Sequence, residues 1–446
     1  MKKIFLSLLV TIIPLSLLAN EDFENIGTIP NNKIYKINKS VCGSRLFTQS
    51  DMENISLYLE CPLPESIATK IPNSFTDFEK REPNFNLLTK YQRVISANDW
   101  RERTQKYFNP DHSLDPYVKI IQRLDKFYLQ LVENRNLIEI PFSGSNSELG
   151  PILDQFYRDR RDLLNDNYDP SRPLAGIKIA IDPGHIGGKW SDFEERHYVV
   201  KEPGTGKILG VNKEGDLSVR TALILNNFLK ASGAQVFLSR TEGGDFGHPF
   251  TLTSLYPESL TIINDLKKEV PFFRENESIL LRNQLLLFFS KRRFIFEDWR
   301  FRTEAMNSFR PDLMIYIHYN AGGSSPDRQP IMSFVKGHVE KVRVDNPYYR
   351  FRLVQDILRG DMFDGAALAY AAMLEMNKSM QLPIFNGVSW RSDIIPLMLQ
   401  APADFPSDNT PTPRAMKGVY IWNLGVMKYA DAPAMLTEGS FFDHST

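Results

Sequence analysis

Three stretches far apart in this chain each end an apolar run with a side chain able to ligate a cation or carry a proton. They are Ile179-Ala180-Ile181-Asp182-Pro183-Gly184-His185, Ile315-Tyr316-Ile317-His318-Tyr319-Asn320-Ala321 and Ala434-Met435-Leu436-Thr437-Glu438-Gly439. A short apolar run rich in β-branched residues suits a buried strand. Open α/β sheets gather their chemistry just past the carboxyl ends of such strands. If the three runs are neighbours in one sheet, His185, His318 and Glu438 share an edge.

The surrounding pattern supports such a sheet. After Asp169-Pro170-Ser171-Arg172-Pro173, which reads as a linker, strand and helix signals alternate. A strand is expected from Gly176 to Asp182, a helix from Leu217 to Ser232 closed by Gly233, and a strand from Ala234 to Arg240. A further helix is expected from about Glu297 to Phe309 and a strand from Asp312 to His318. This order predicts an α/β class, with a mixed twisted sheet flanked by helices, over 176–446. Two long segments, about 246–296 and 322–412, interrupt it and should carry structure or function of their own. The first holds a Leu- and Phe-rich helical candidate, Ser278 to Phe294; the second holds a helix from about Gly365 to Met380.

The region 20–172 reads as mainly helical and of unknown role. Its clearest element is a helix from Asp115 to Arg135, where Val118, Ile121, Leu124, Tyr128, Leu131 and Val132 recur mostly three or four apart. A second helix is expected from Pro151 to Leu164. Before this region, Lys2 and Lys3 precede an apolar segment from Ile4 to Leu15, and Ala19 is a small residue at a cleavage position. Residues 1–19 therefore read as a secretory signal peptide, shorter than the ~20 apolar residues of a spanning helix. The expected location is exported, periplasmic or cell-envelope, with no membrane span in the mature protein. An oxidising compartment favours a disulfide between the chain's two cysteines, Cys42 and Cys61. Closing that loop would stabilise the region by ~3 kcal/mol in the chain-entropy model. With 53 Lys plus Arg against 54 Asp plus Glu, the chain has no overall field to steer it onto nucleic acid.

The residue types at the predicted sheet edge suit a zinc hydrolase. Catalytic zinc takes three protein ligands from His and carboxylate and keeps one position open. His185 and His318 supply two; Glu214, just ahead of the helix beginning near Asp216, is the third candidate. Zn2+ would bring a bound water toward a pKa of ~7, and Glu438 is placed to act as general base and then acid. Singly, each has a plainer reading. His185 would be a turn residue, His318 a core histidine, Glu214 a helix-start carboxylate and Glu438 an ion-pair partner. Gly204-Thr205-Gly206-Lys207 lacks the spacing of a phosphate loop, and no Gly-x-Ser-x-Gly elbow occurs.

Residues 176–446 resemble the zinc-dependent N-acetylmuramoyl-L-alanine amidases, which hydrolyse peptidoglycan. The matching pieces, in the family's order, are Ile181-Asp182-Pro183-Gly184-His185, Glu214-Gly215-Asp216-Leu217, Val236-Phe237-Leu238-Ser239-Arg240, Arg302 with Asn307, Pro311-Asp312-Leu313 leading to His318-Tyr319-Asn320-Ala321, and Pro433 through Glu438-Gly439. The resemblance implies His185, Glu214 and His318 as zinc ligands and Glu438 as the catalytic glutamate. The bond cut would join N-acetylmuramic acid to L-alanine of the stem peptide. A zinc peptidase acting within the stem and a noncatalytic wall-binding protein of the same fold are the alternatives. The segment between His185 and Glu214 is longer than the family pattern, with Ser191 to Gly210 inserted, and brings Glu194, Glu195, His197 and Glu202 as competing ligands. The family pattern also leads to an expected closing helix after Glu438, where eight residues remain. Some relatives hold a helix over the zinc until a protein activator displaces it. Leu285 to Phe289 is the candidate for such an occluding helix here, the alternative being a packing helix that thickens the core. Arg240, Arg302 and Asn307 read mainly as structural, bonding strand ends or loop carbonyls.

Overall fold

The computed structural model describes residues 81–109, 112–133, 136–144, 149–150, 169–194, 196–202, 204–244, 247–251, 253–269, 274, 279–320, 330–337, 344–385, 395–396, 416–422 and 424–441. The expected signal segment, Cys42 and Cys61 with their expected disulfide, and the helix expected over 151–164 lie outside them. The described residues form two compact units, one of 81–244 and 302–441 and the other of 247–301.

In the first unit, helix α1 (Ala97–Arg103) starts at a capping box. Asp99 N–H donates to Ser96 Oγ at 3.1 Å and Ser96 N–H returns a bond to Asp99 at 3.0 Å. A three-stranded antiparallel sheet follows: β1 (Val118–Arg123), β2 (Lys126–Glu133) and β3 (Asn136–Pro141). The helix expected from Asp115 to Arg135 is corrected here. Val118 to Glu133 form the β1–β2 hairpin instead, with Arg123 opposite Lys126 and Leu124-Asp125 between them. The physical reason is that β3 pairs with β2 and buries a period-two face. Leu129 and Leu131 are buried with Ile138 and Ile140, while Leu124 and Val132, two of the supposed helix-face residues, stand exposed. Over 81–150 the described chain is therefore not mainly helical.

Among the described residues the main sheet has seven strands. In chain order the elements are β4 (Lys178–Pro183), α2 (Ser191–Glu194), β5 (His197–Lys201), β6 (Ile208–Lys213), α3 (Glu214–Ala231), β7 (Gln235–Leu238), α4 (Tyr256–Glu269), α5 (Ile279–Phe309), β8 (Leu313–Asn320), β9 (Met332–Val335), α6 (Pro347–Arg359), α7 (Asp361–Met380), β10 (Ile395–Pro396), β11 (Val419–Ile421) and β12 (Ala434–Phe441). Across the sheet the order is β10, β11, β9, β12, β8, β4, β7. Strands β12, β8, β4 and β7 run parallel, β9 runs antiparallel to β12, and β5 pairs with β6 in a separate hairpin. The α/β class with a mixed sheet flanked by helices is the observed one. The predicted strands are all present, and α3 is the crossover between parallel neighbours β4 and β7.

The three apolar runs form adjacent central strands because their residues are excluded from water. Ile179, Ala180 and Ile181, Met314, Ile315 and Tyr316, and Ala434, Met435 and Leu436 are all buried. α3 packs on β4, β7 and β8, and α7 packs on β9 and β12. α7 begins four residues before its expected start. Gly360, at φ +81°, turns α6 into α7 and closes α6 with an N–H bond to Asp356 O at 2.9 Å.

In the second unit, the hydroxyls of Ser259 on α4 and Ser290 on α5 lie 2.8 Å apart, and Ile262, Ile263, Leu266, Leu285 and Phe289 are buried. The two helical candidates around 278–309 are one continuous helix, α5. No described helix is long and apolar enough to cross a membrane.

Candidate active site

β4 delivers Asp182-Pro183-Gly184-His185 to the carboxyl edge of the sheet, and two buried arginines hold the turn. Arg240 donates to the carbonyls of Pro183, Gly184 and Ile186 at 2.5, 3.0 and 2.6 Å. Arg302 donates to Asp182 Oδ1 at 2.7 Å and to the Pro183 carbonyl at 2.8 Å. Asn307 donates to the Tyr429 carbonyl and accepts from Asp431 N–H, fixing the approach to β12. All three act on strand ends and loop carbonyls. His185 sits in the left-handed region, at φ +56°. A Cβ on Gly184, the residue before it, would stand 2.5 Å from the His318 ring, so any other residue there would displace that ring or the turn.

Register sets the rest of the edge. β8 carries His318 and β12 carries Glu438, and the two residues are direct partners in the parallel pairing. Glu214 is the first residue of α3, whose N-terminus favours a carboxylate, and its side chain is only 3% exposed. One Glu214 oxygen lies 3.3 Å from His185 Nε2 and the other 3.1 Å from His318 Nδ1. Tyr319 N–H also donates to Glu214 at 3.2 Å. The rings of His185 and His318 meet edge to face with centroids 5.0 Å apart.

The donor set fits a metal. His185, Glu214 and His318 each offer a ligand atom, and those atoms all lie within 4.8 Å of one another. Tetrahedral zinc with bonds of about 2.0–2.1 Å sets its ligands about 3.3 Å apart, the separation found between His185 Nε2 and the nearer Glu214 oxygen, 3.3 Å. The buried Oε2 of Glu438 has no hydrogen-bond partner among the described residues.

The two carboxylates are driven in opposite directions. Burial penalises the Glu214 anion, but the charges and hydrogen bonds of His185 and His318 prevail and hold it well below the usual carboxylate range. Burial, reinforced by the Glu214 charge, pushes Glu438 up to about 8 against the opposing pull of His185 and Arg196. For His185, burial works against the charged ring, yet Glu214 and Glu194 raise it to about 9. One carboxylate is thus kept ionised and the other is poised to exchange a proton near neutral pH.

Of the competing residues in the inserted segment, Glu194 reaches the site, with its oxygen 3.4 Å from His185 Nδ1. His197 begins β5, Glu202 accepts from the Thr205 hydroxyl, and Glu195 lies outside the described residues. Two contributors escape sequence reasoning. Arg196, half-exposed, stands 4.0 Å from Glu214, and the backbone of Tyr319 bonds the same carboxylate. A backbone donor leaves no residue-type signal, and an arginine in an inserted loop has no periodicity to betray it.

No protein-family model and no curated protein matches this sequence. Among solved structures, the chain is similar to the CwlD amidase of Clostridioides difficile, in complex there with the GerS lipoprotein, at 14% identity and a TM-score of 0.28, covering 60% of this chain and 84% of that one. The catalytic domain of CwlV, an N-acetylmuramoyl-L-alanine amidase of Bacillus (Paenibacillus) polymyxa, gives 14%, 0.27, 60% and 83%. Ami1, an N-acetylmuramyl-L-alanine amidase of Mycobacterium smegmatis, gives 13%, 0.29, 61% and 85%.

Proposed function

We propose that the protein is a zinc-dependent peptidoglycan hydrolase that cleaves the amide between N-acetylmuramic acid and L-alanine of the stem peptide. The observation that carries hydrolysis is the His185, Glu214 and His318 cluster with the buried Glu438 oxygen, unpartnered among the described residues, on the strand paired with that of His318. The substrate follows from the ordered motifs of residues 176–446 and their resemblance to the muramoyl amidases. His185, Glu214 and His318 would hold the zinc, which when bound acidifies the attacking water and polarises the scissile carbonyl. Glu214 stays ionised through the cycle because its neighbours hold it so far down. Glu438 takes the proton of the attacking water at Oε2 and returns it to the leaving nitrogen of L-alanine. Its raised affinity for a proton, near 8, matches that double duty. Arg240 and Arg302 keep the His185 turn fixed while this happens.

The test is mass spectrometry of purified peptidoglycan incubated with the zinc-loaded chain and with Glu438→Gln. The expected product is free stem peptide with an unblocked L-alanine amino terminus. The variant should be slower by about 10²–10⁴-fold with zinc binding retained. Fragments cut inside the stem would replace this reading with the peptidase, and zinc binding without any cleavage would favour a noncatalytic wall-binding protein.

A further inference from the structure

Glu194 belongs to the segment inserted between His185 and Glu214, and nothing in the reading above requires it. Yet its side chain is only 2% exposed and both oxygens are engaged. Oε2 accepts the Ile186 N–H at 2.6 Å, and Oε1 lies 3.4 Å from His185 Nδ1. The opposite ring nitrogen, Nε2, is the one that faces Glu214 at 3.3 Å. The imidazole is therefore held between two carboxylates, one on each nitrogen. A histidine that binds a metal gives up the proton of the ligating nitrogen and keeps the other, so whichever nitrogen holds its proton more firmly is the one that does not ligate.

We propose that Glu194 is a positioning residue that keeps the proton of His185 on Nδ1, leaving Nε2 free to bind the metal, and this rests on the zinc site proposed above. The same carboxylate fixes the ring's direction, because Oε2 is anchored on the backbone one residue beyond the histidine. His185 stands in the left-handed region, at φ +56°, and its ring direction is set by the partners of its two nitrogens. Carboxylates behind metal-binding histidines act in this way generally, and losing one costs about 10–100-fold in metal affinity. Glu194 is not itself placed as a ligand. It lies on the far side of the imidazole from Glu214, and the group whose ligand atoms converge does not include it.

Glu194→Gln is the informative variant. Its amide oxygen can still take the Ile186 N–H, but its NH2 group then faces Nδ1 and favours the tautomer with the proton on Nε2. Zinc affinity of the full chain, measured by competition with a fluorescent chelator, should fall about 10–100-fold. Glu194→Asp should recover part of it, and circular dichroism of both variants should match the parent. In the zinc-loaded parent labelled with ¹⁵N-histidine, His185 should show a protonated Nδ1 and a metal-bound Nε2. Equal zinc affinity in parent and Glu194→Gln, or zinc on Nδ1, would overturn the inference while leaving the hydrolase intact. A parent chain that binds no zinc would overturn both. Failure to cleave peptidoglycan with the affinity loss still present would remove only the amidase reading and support the role of Glu194.

Discussion

At the scale of single residues, the site depends on a side chain that is missing. Gly184 leaves room for the His318 ring, and the Cβ of an alanine there would overlap it at 2.5 Å. Because β8 fixes the His318 backbone, the ring must move, and its Nδ1 leaves the 3.1 Å contact with Glu214. Gly184→Ala should therefore lower peptidoglycan cleavage by about 10²-fold, the usual effect of misplacing a catalytic group by ~1 Å. Zinc titration beside the rate assay should show weakened binding with the far-ultraviolet spectrum unchanged. A variant with parental affinity and rate would mean that the turn relaxes without disturbing the ligands. His185, His318 and Glu438 were legible in the sequence because each ends an apolar run, and the helix start marked Glu214. Glu194 was visible only as one of four competing residues. Its role depends on how an inserted loop folds back, which no spacing rule encodes.

At the scale of elements, the buried strands of the main sheet were legible and the hairpin before it was not. A strand such as Ile179 to Ile181 is apolar on both faces, so the run itself announces burial. β1 and β2 bury one face, and a chance spacing of Val118, Ile121, Tyr128 and Leu131 imitates a helical stripe. Their turn also lacks the Gly or Asn that would signal a hairpin. Leu124 occupies the first turn position at φ +55° and is 95% exposed, gaining no burial in return for its conformation. Among two-residue hairpins with positive φ at that position, glycine is the favoured residue. Leu124→Gly should raise stability by about 0.5–1 kcal/mol, read as a higher urea midpoint with unchanged slope. A lower midpoint would show that the Leu124 side chain contributes packing that outweighs its backbone strain.

At the scale of the whole first unit, a balanced set of charges ties the sheet to its covering helices. Lys336, at the end of β9, contacts Asp356 at 2.9 Å and Asp361 at 3.3 Å, and Arg359 bonds Asp361 and Asp431 at 2.9 Å each. Arg352 reaches Asp431 at 2.8 Å, while Gln355 beside it donates to the Tyr91 hydroxyl and so links α6 to the 81–150 segment. Three cations face three carboxylates, an arrangement in which losing one member leaves a neighbour uncompensated. Asp431 is the member nearest solvent. Burial acts against its anion, but Arg352 and Arg359 prevail and hold it well below the usual carboxylate range. A folded-state pKa below the unfolded value of about 3.9 means that the folded chain binds the proton less readily. The stabilisation is then complete above about pH 5 and is lost as pH falls through 4 toward the lower folded value. Asp431→Asn should be less stable than the parent by a constant margin from pH 5 to 7. That margin should shrink steadily below pH 4, as followed by urea unfolding at each pH. A margin that stays the same down to pH 3 would show that the Asp431 charge is not what Arg352 and Arg359 stabilise.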